Sequence, residues 1–179
     1  MTRLKSTILA LVAVLMSPIA ANADLIGQDI TVEWLFPDDS TLFAADTVTV
    51  GAGAEISCPG AFNLCSGFVV DADIDIGANV ITLLVTGGSS AWTATSFNGY
   101  SFSDLSLGGL WDSYILDTNF SGLDASRVTF DGSELLVNMQ GLAANEGDYF
   151  TFTLVPEPGT LALLGIGLLG MGAARRKKA

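Results

Sequence analysis

The stretch Phe68–Val85, FVVDADIDIGANVITLLV, decides the fold. In its first half Phe68, Val70, Ala72, Ile74 and Ile76 alternate with Val69, Asp71, Asp73 and Asp75, and after Gly77-Ala78-Asn79 the apolar set resumes at Ile81, Leu83 and Val85. A period of two is the repeat of a pleated strand, whose successive side chains point to opposite faces; a helix would bring apolar residues back every three or four positions. The same period appears on either side: Ile30, Val32, Trp34 and Phe36; Val128 and Phe130; Leu135, Val137 and Met139; Phe150, Phe152 and Leu154. The runs are bounded by Pro37-Asp38-Asp39, Gly87-Gly88, Asn98-Gly99, Asp131-Gly132 and Asn145-Glu146-Gly147-Asp148, residues that favour turns.

No window between residues 24 and 155 reads as a capped helix. The pattern therefore predicts an all-β domain over 24–155: eight to ten mostly antiparallel strands in a two-sheet sandwich of jelly-roll or immunoglobulin-like type. One inward and one outward face per strand accounts for the alternation. Two hairpins are expected. One joins Arg127–Phe130 to Glu134–Gln140 across DGS, and the other joins that second strand to Tyr149–Val155 across ANEGD. The run Thr95–Asp117 is expected to hold two strands with a bend at Gly108-Gly109. Trp34, in phase with Ile30 and Val32, is expected in the core. A domain of this length buries roughly two thirds of its unfolded surface, enough for a core without a cofactor.

The ends read differently. Arg3 and Lys5 precede an apolar run from Thr7 to Met16, Pro18 breaks it, and Ala21-Asn22-Ala23 places small residues where a signal peptidase reads. Residues 1–23 are thus predicted to be a secretory signal cleaved between Ala23 and Asp24, with the general secretion machinery as partner. Between Asp24 and Val155 one base, Arg127, stands against eighteen carboxylates, a net charge of −17 that the whole-chain value of −12 conceals. Such a surface repels nucleic acid, which is excluded as a partner. The chain has no histidine, and so lacks the commonest general base and metal ligand. Cys58 and Cys65 are expected to form a disulfide in the exported region; neither their spacing nor the rest of the sequence supports a metal or redox pair.

The C-terminal segment 156–179 holds three elements in order: Pro156-Glu157-Pro158, the uncharged Leu161–Ala174, and Arg175, Arg176, Lys177 and Lys178. As a helix the fourteen apolar residues would span about 21 Å against about 30 Å of hydrocarbon. Four glycines weaken that helix, and the basic end orients it with the C-terminus in the cytoplasm. Pro156 and Pro158 are expected to stay out of any sheet ladder and hold an extended, accessible segment. A plain membrane anchor is the competing reading; a glycolipid-anchor signal would end apolar.

This constellation resembles the PEP-CTERM sorting signal. The resemblance implies a substrate of exosortase, an integral-membrane transpeptidase-like processor, with Pro156, Glu157 and Pro158 as the recognised motif. It further implies a transient tether to the inner membrane, then the cell surface or extracellular space, and association with exopolysaccharide or biofilm matrix.

Within the domain, Asp71, Asp73 and Asp75 project from one strand face about 7 Å apart, and hard oxygen ligands suit calcium. The EF-hand pattern fails, because Ile76 stands where its glycine belongs, and strand alternation alone explains the carboxylates as a solvated face. Trp34, Trp92, Trp111, Tyr100 and Tyr114 would stack on sugar rings if exposed, with Trp111 and Tyr114 carried outward on a loop. An enzyme would have to work with carboxylates alone, and no nucleophile elbow, zinc or phosphate-loop motif is present. The expected function is therefore non-enzymatic: a structural, adhesive or exopolysaccharide-associated exported protein, with a calcium- or carbohydrate-binding module as alternative and no resident cofactor.

Overall fold

The computed structural model describes residues 23–66 and 70–158, and its compact unit runs from Asn22 to Pro156. The described residues form twelve strands: β1 (Asp29–Leu35), β2 (Leu42–Thr49), β3 (Ile56–Cys58), β4 (Asp71–Ile76), β5 (Val80–Gly87), β6 (Ser89–Ala91), β7 (Gly99–Ser103), β8 (Trp111–Thr118), β9 (Val128–Phe130), β10 (Leu135–Asn138), β11 (Ala143–Asn145) and β12 (Tyr149–Pro156). One five-stranded sheet has the order β2-β1-β7-β10-β9, the other β3-β4-β5-β12-β8, and β11 and β6 form a small ribbon. Every pairing is antiparallel. The count exceeds the eight to ten expected because β3, β6 and β11 are three residues long, too short to show an alternation.

The two large sheets close over one core. Ile30, Val32, Phe102, Leu135 and Val137 enter it from the first, and Ile74, Ile76, Ile81, Leu83, Phe150, Phe152 and Leu154 from the second, all without solvent exposure. The Phe102 and Phe150 rings meet edge-on at 6.4 Å between β7 and β12, tying one sheet to the other. Full burial of each such side chain stabilises by about 1.5–3 kcal/mol. The alternation in Phe68–Val85 is realised from β4 onward: Ala72, Ile74 and Ile76 face in. Residues 67–69, with Phe68 and Val69, lie outside the described residues.

Three expectations are corrected. Trp34 is only partly buried and packs against the core from outside it, while Leu35 is buried instead. The pairing of β1 with β2 shifts register between Trp34 and Leu35, where β2 carries the extra residue, Phe43, and the Trp34 ring packs against it. The hairpin expected between the strand at Glu134–Gln140 and Tyr149–Val155 does not form. β10 lies between β7 and β9 in one sheet, β12 between β5 and β8 in the other. The ANEGD turn does form, with the Asp148 amide donating to Asn145 O at 2.9 Å, but it joins β11 to β12. Asn98-Gly99 is no hairpin turn either. Gly99 opens β7 beneath β10, where a Cβ would sit 2.0 Å from the Val137 carbonyl oxygen, so only glycine admits the neighbouring backbone. The hairpin across DGS joins β9 to β10 as expected.

The two open sides of the sandwich are finished differently. On the side of β2 and β3 the Cys58–Cys65 disulfide, with Cα atoms 5.2 Å apart, closes the loop after β3. Asp46 of β2 holds that loop by accepting from the Asn63 amide at 3.1 Å, the Asn63 side chain at 3.0 Å and the Leu64 amide at 2.8 Å. Closing so short a ring contributes about 2.5 kcal/mol on the chain-entropy account. On the side of β8 and β9 the sheets meet through the edge-on Tyr114–Phe130 pair at 5.9 Å. Arg127 there spends its guanidinium on backbone, donating to Asn138 O at 3.2 Å and Gln140 O at 2.9 Å.

Many of the acids are turn builders. Asp38, Asp124 and Asp131 each accept from the amide and the hydroxyl of the serine two residues on, at 2.6–3.0 Å. The serine hydroxyl lowers the carboxyl pKa most at Asp38 and Asp124, the Ser133 amide most at Asp131. A carboxyl whose folded pKa lies below its unfolded value stabilises the fold fully above the unfolded value, and that contribution fades as pH falls through the folded one. The three turns should therefore leave stability level from neutrality to about pH 5 and subtract from it below about pH 4. An Asp38→Asn, Asp124→Asn, Asp131→Asn triple variant should melt lower at pH 7 and lose less on acidification than the parent, read by thermal melts from pH 7 to pH 2.5.

Candidate functional site

The last strand carries the candidate processing motif. Phe150, Phe152 and Leu154 point inward from β12, and its edges pair with β5 on one side and β8 on the other. Near its end the Leu154 amide donates to Asn79 O at 2.7 Å, and the Asn79 side-chain amide donates back to Leu154 O at 3.2 Å. Asn79 sits in the β4–β5 turn, so a residue that reads as turn chemistry also clamps the chain two positions before Pro156.

Pro156 is itself the final residue of β12, opposite Trp111 of β8 across a register shift that follows Val155. This corrects the expectation that the proline stays out of the ladder. A proline offers no N–H but keeps its carbonyl, so it is tolerated at a strand terminus and at a bulge. Glu157 is partly buried and Pro158 exposed. Between fold and motif there is thus no spacer. The apolar segment Leu161–Ala174 and the cations Arg175, Arg176, Lys177 and Lys178 lie outside the described residues, as does the expected export signal apart from Ala23. No helix among the described residues is long and apolar enough to cross a membrane.

At the other end, Ala23 and Asp24 lie against the domain. The Asp24 amide donates to Gly108 O at 2.6 Å, the Asp24 carboxylate caps the Ile26 amide at 2.9 Å, and Leu25 is fully buried. The chain immediately after the expected cleavage point is part of the fold.

The remaining candidate residues are not gathered into a site. Asp71, Asp73 and Asp75 share the outer face of β4, with Gly87, Leu84 and Thr82 of β5 opposite them and Ser57 of β3 beside Asp73. Among the described residues no three His, Cys, Asp or Glu side chains converge as a metal would need. Trp92, Tyr100 and Trp111 are inside, Trp111 on β8 rather than on an outward loop, with its indole N–H donating to Leu105 O at 2.8 Å. Tyr114 is partly buried, one wall of an open groove of about 510 Å³ shared with Leu116, Asp117, Thr118 and Leu123. Burial pushes the Tyr114 and Tyr100 phenols up, Tyr100 far more.

One surface feature escaped sequence reasoning. Phe43 is 54% exposed beside Leu42 at 55%. The Phe43 ring lies 5.2 Å from Trp34 and 6.4 Å from Phe36, and the Trp34 indole is fixed by donation to Asn98 Oδ1 at 2.9 Å. The signal was available: Leu42-Phe43 directly follows the turn after β1, in reach of Trp34 and Phe36 across a hairpin.

Comparison with known families agrees with the resemblance. A model of the PEP-CTERM protein-sorting motif matches residues 154–177, from the end of β12 into the basic tail. No curated protein and no solved structure matches the chain. The class so defined is an exported protein with a membrane-anchored sorting step; the particular role is that of a chain consistent with an exosortase substrate.

Substituting Asn79 tests how firmly the motif is clamped. Asn79→Ala removes the side-chain donor to Leu154 O and should lower stability by about 1 kcal/mol. Amide exchange should rise at Val155 and Leu154 before it rises at Phe150, as read by hydrogen exchange with mass spectrometry.

Proposed function

We propose that this chain is a non-enzymatic cargo of the cell envelope. It is exported, held by its tail at the outer face of the inner membrane, cut at Pro156-Glu157-Pro158 by an exosortase, and delivered as an acidic β-sandwich to the cell surface or extracellular matrix. The observation that carries this reading is the coincidence of the sorting motif with the end of the last strand: the match starts at Leu154 and the fold stops at Pro156. The processor would then receive a finished domain with its recognition segment in an extended conformation. The carboxylates support a structural rather than catalytic role, since Asp38, Asp46, Asp124 and Asp131 are engaged with turn and loop amides. Their remaining charge keeps the domain soluble and disfavours contact with nucleic acid and anionic surfaces.

In the native host, the mature protein should end at or near the Pro-Glu-Pro triplet and lack Arg175–Lys178. A variant with residues 156–158 replaced by Ala-Gln-Ala should remain in the membrane fraction with its basic tail intact, as read by fractionation and C-terminal mass mapping. An unchanged chain end and location in the variant would sink the sorting reading; a wild-type protein that retains the tail would favour a plain anchor.

The aromatic patch on the β1–β2 hairpin supports a second reading, association with polysaccharide. Phe43 offers an open ring face and Trp34 a fixed one, the arrangement that stacks on sugar rings, and Phe43 lies outside the core. Phe43→Ala should leave the melting temperature within about 2 °C, because exposed substitutions change stability little. It should reduce retention on matrix polysaccharide severalfold in affinity electrophoresis; equal retention would remove the patch from consideration.

A further inference from the structure

Seven large apolar side chains are exposed on the described surface, and three of them, Ile26 (48%), Leu107 (56%) and Leu110 (64%), lie within two residues, along the chain, of a single backbone contact. That contact is between Asp24 and Gly108. Gly108 and Gly109 carry no side chain because there is no room: a Cβ at 108 would lie 2.5 Å from Leu25 Cδ2 and 2.8 Å from Asp24 O, and one at 109 would lie 2.6 Å from the Ala23 Cβ. Ile26 follows this contact by two residues on one chain, and Leu107 and Leu110 flank it on the other. The Trp111 indole, bonded to Leu105 O, holds the bend that presents both leucines. Trp111 in turn stands opposite Pro156. The first and last described parts of the compact unit, Ala23–Leu25 and Pro156, therefore both abut the segment 105–111.

We propose that this end of the sandwich, with Ile26, Leu107 and Leu110 at its tip, is a lipid-docking face that rests on the bilayer while the chain awaits processing. The inference rests on the reading of Leu161–Ala174 as a membrane tether. Four residues separate Pro156 from Leu161, and even fully extended the five steps between them span about 17 Å. The headgroup region of one leaflet takes up about 5–8 Å of that distance. The domain cannot stand off from the surface, and the end that meets it is the end carrying the three exposed aliphatic residues. Apolar side chains at such a tip enter the headgroup–acyl boundary. Asp24, Asp104, Asp112 and Glu157 lie close by in sequence, so the surface that fits is zwitterionic rather than anionic.

The test uses the full chain in zwitterionic phosphatidylcholine vesicles. A fluorophore is attached at Leu110→Cys or, as control, at Glu146→Cys in the turn before β12, at the far end of that strand; the native cysteines are paired and do not compete. Quenching by nitroxide on the lipid acyl chains should be at least about threefold stronger at 110 than at 146, as expected for a side chain at the acyl boundary. In an Ile26→Ser, Leu107→Ser background it should fall toward the control. Equal quenching at 110 in both backgrounds would mean that the tether alone positions this end, and would overturn the docking face. Shielding of residue 110 that appears only after a membrane protein is added would likewise overturn it in favour of a protein contact. A chain that does not float with the vesicles would refute the tether, whereas one that floats with residue 110 unquenched would refute the face alone.

Discussion

The pairing of β12 between β5 and β8 is the interaction on which the rest of the molecule depends. It is the only place where the core, the closure of the second sheet and the sorting motif share one stretch of backbone. Phe150, Phe152 and Leu154 supply the inward layer, the Phe102–Phe150 contact ties that layer to the other sheet, and Leu154 is already the first residue of the matched motif. β12 is also a late strand, paired with β5 about seventy residues earlier, so the second sheet is complete only once almost all of the domain has been made. Long-range antiparallel pairing of this kind closes late in folding.

That arrangement makes the proline in the motif do two things. In the ladder, Pro156 is a terminator: it lacks the N–H that would extend the pairing, and no strand continues beyond it among the described residues. At the boundary, its ring holds φ at about −65°, which stiffens the exit of the chain from the ladder. The side-chain clamp from Asn79 onto Leu154 then prevents the strand end from fraying into the motif. A flexible linker would have separated fold from signal; here a rigid stop does so with no linker.

Much of this was legible in the sequence, and the failures share a cause. Alternation at Ile74 and Ile76, at Leu135 and Val137 and along Phe150–Leu154 located strands and their inward faces, because one-sided burial writes itself into every second residue. Turn chemistry located ANEGD and DGS, because Asn, Asp and Gly fix their own local geometry. Neither signal says which strands become neighbours. The turn at ANEGD was read as a β10–β12 hairpin, although the short β11 intervenes and pairs with β6. Asn98-Gly99 was read as a turn when its glycine answers to the Val137 carbonyl, almost forty residues away. Trp34 is only partly buried: the β1–β2 register shifts beside it, with Phe43 of β2 as the unmatched residue, and the period of β1 carries no sign of that bulge. Phe43 was missed for the same reason in reverse, since its aromatic partners are assembled by pairing rather than by period.

The charge distribution follows from the same division of labour. In the body of the domain the single base serves the backbone, bonded to the carbonyls of Asn138 and Gln140, and no described carboxylate relies on a lysine. Asp46, Glu55 and Asp131 instead take backbone amides as partners. A carboxylate satisfied by amides needs no cation, and the other six cations of the chain all stand in the two terminal segments. A domain built this way can carry a large negative charge through the export pathway without surrendering its turns, and the repulsion it suffers is offset by a core that both sheets fill.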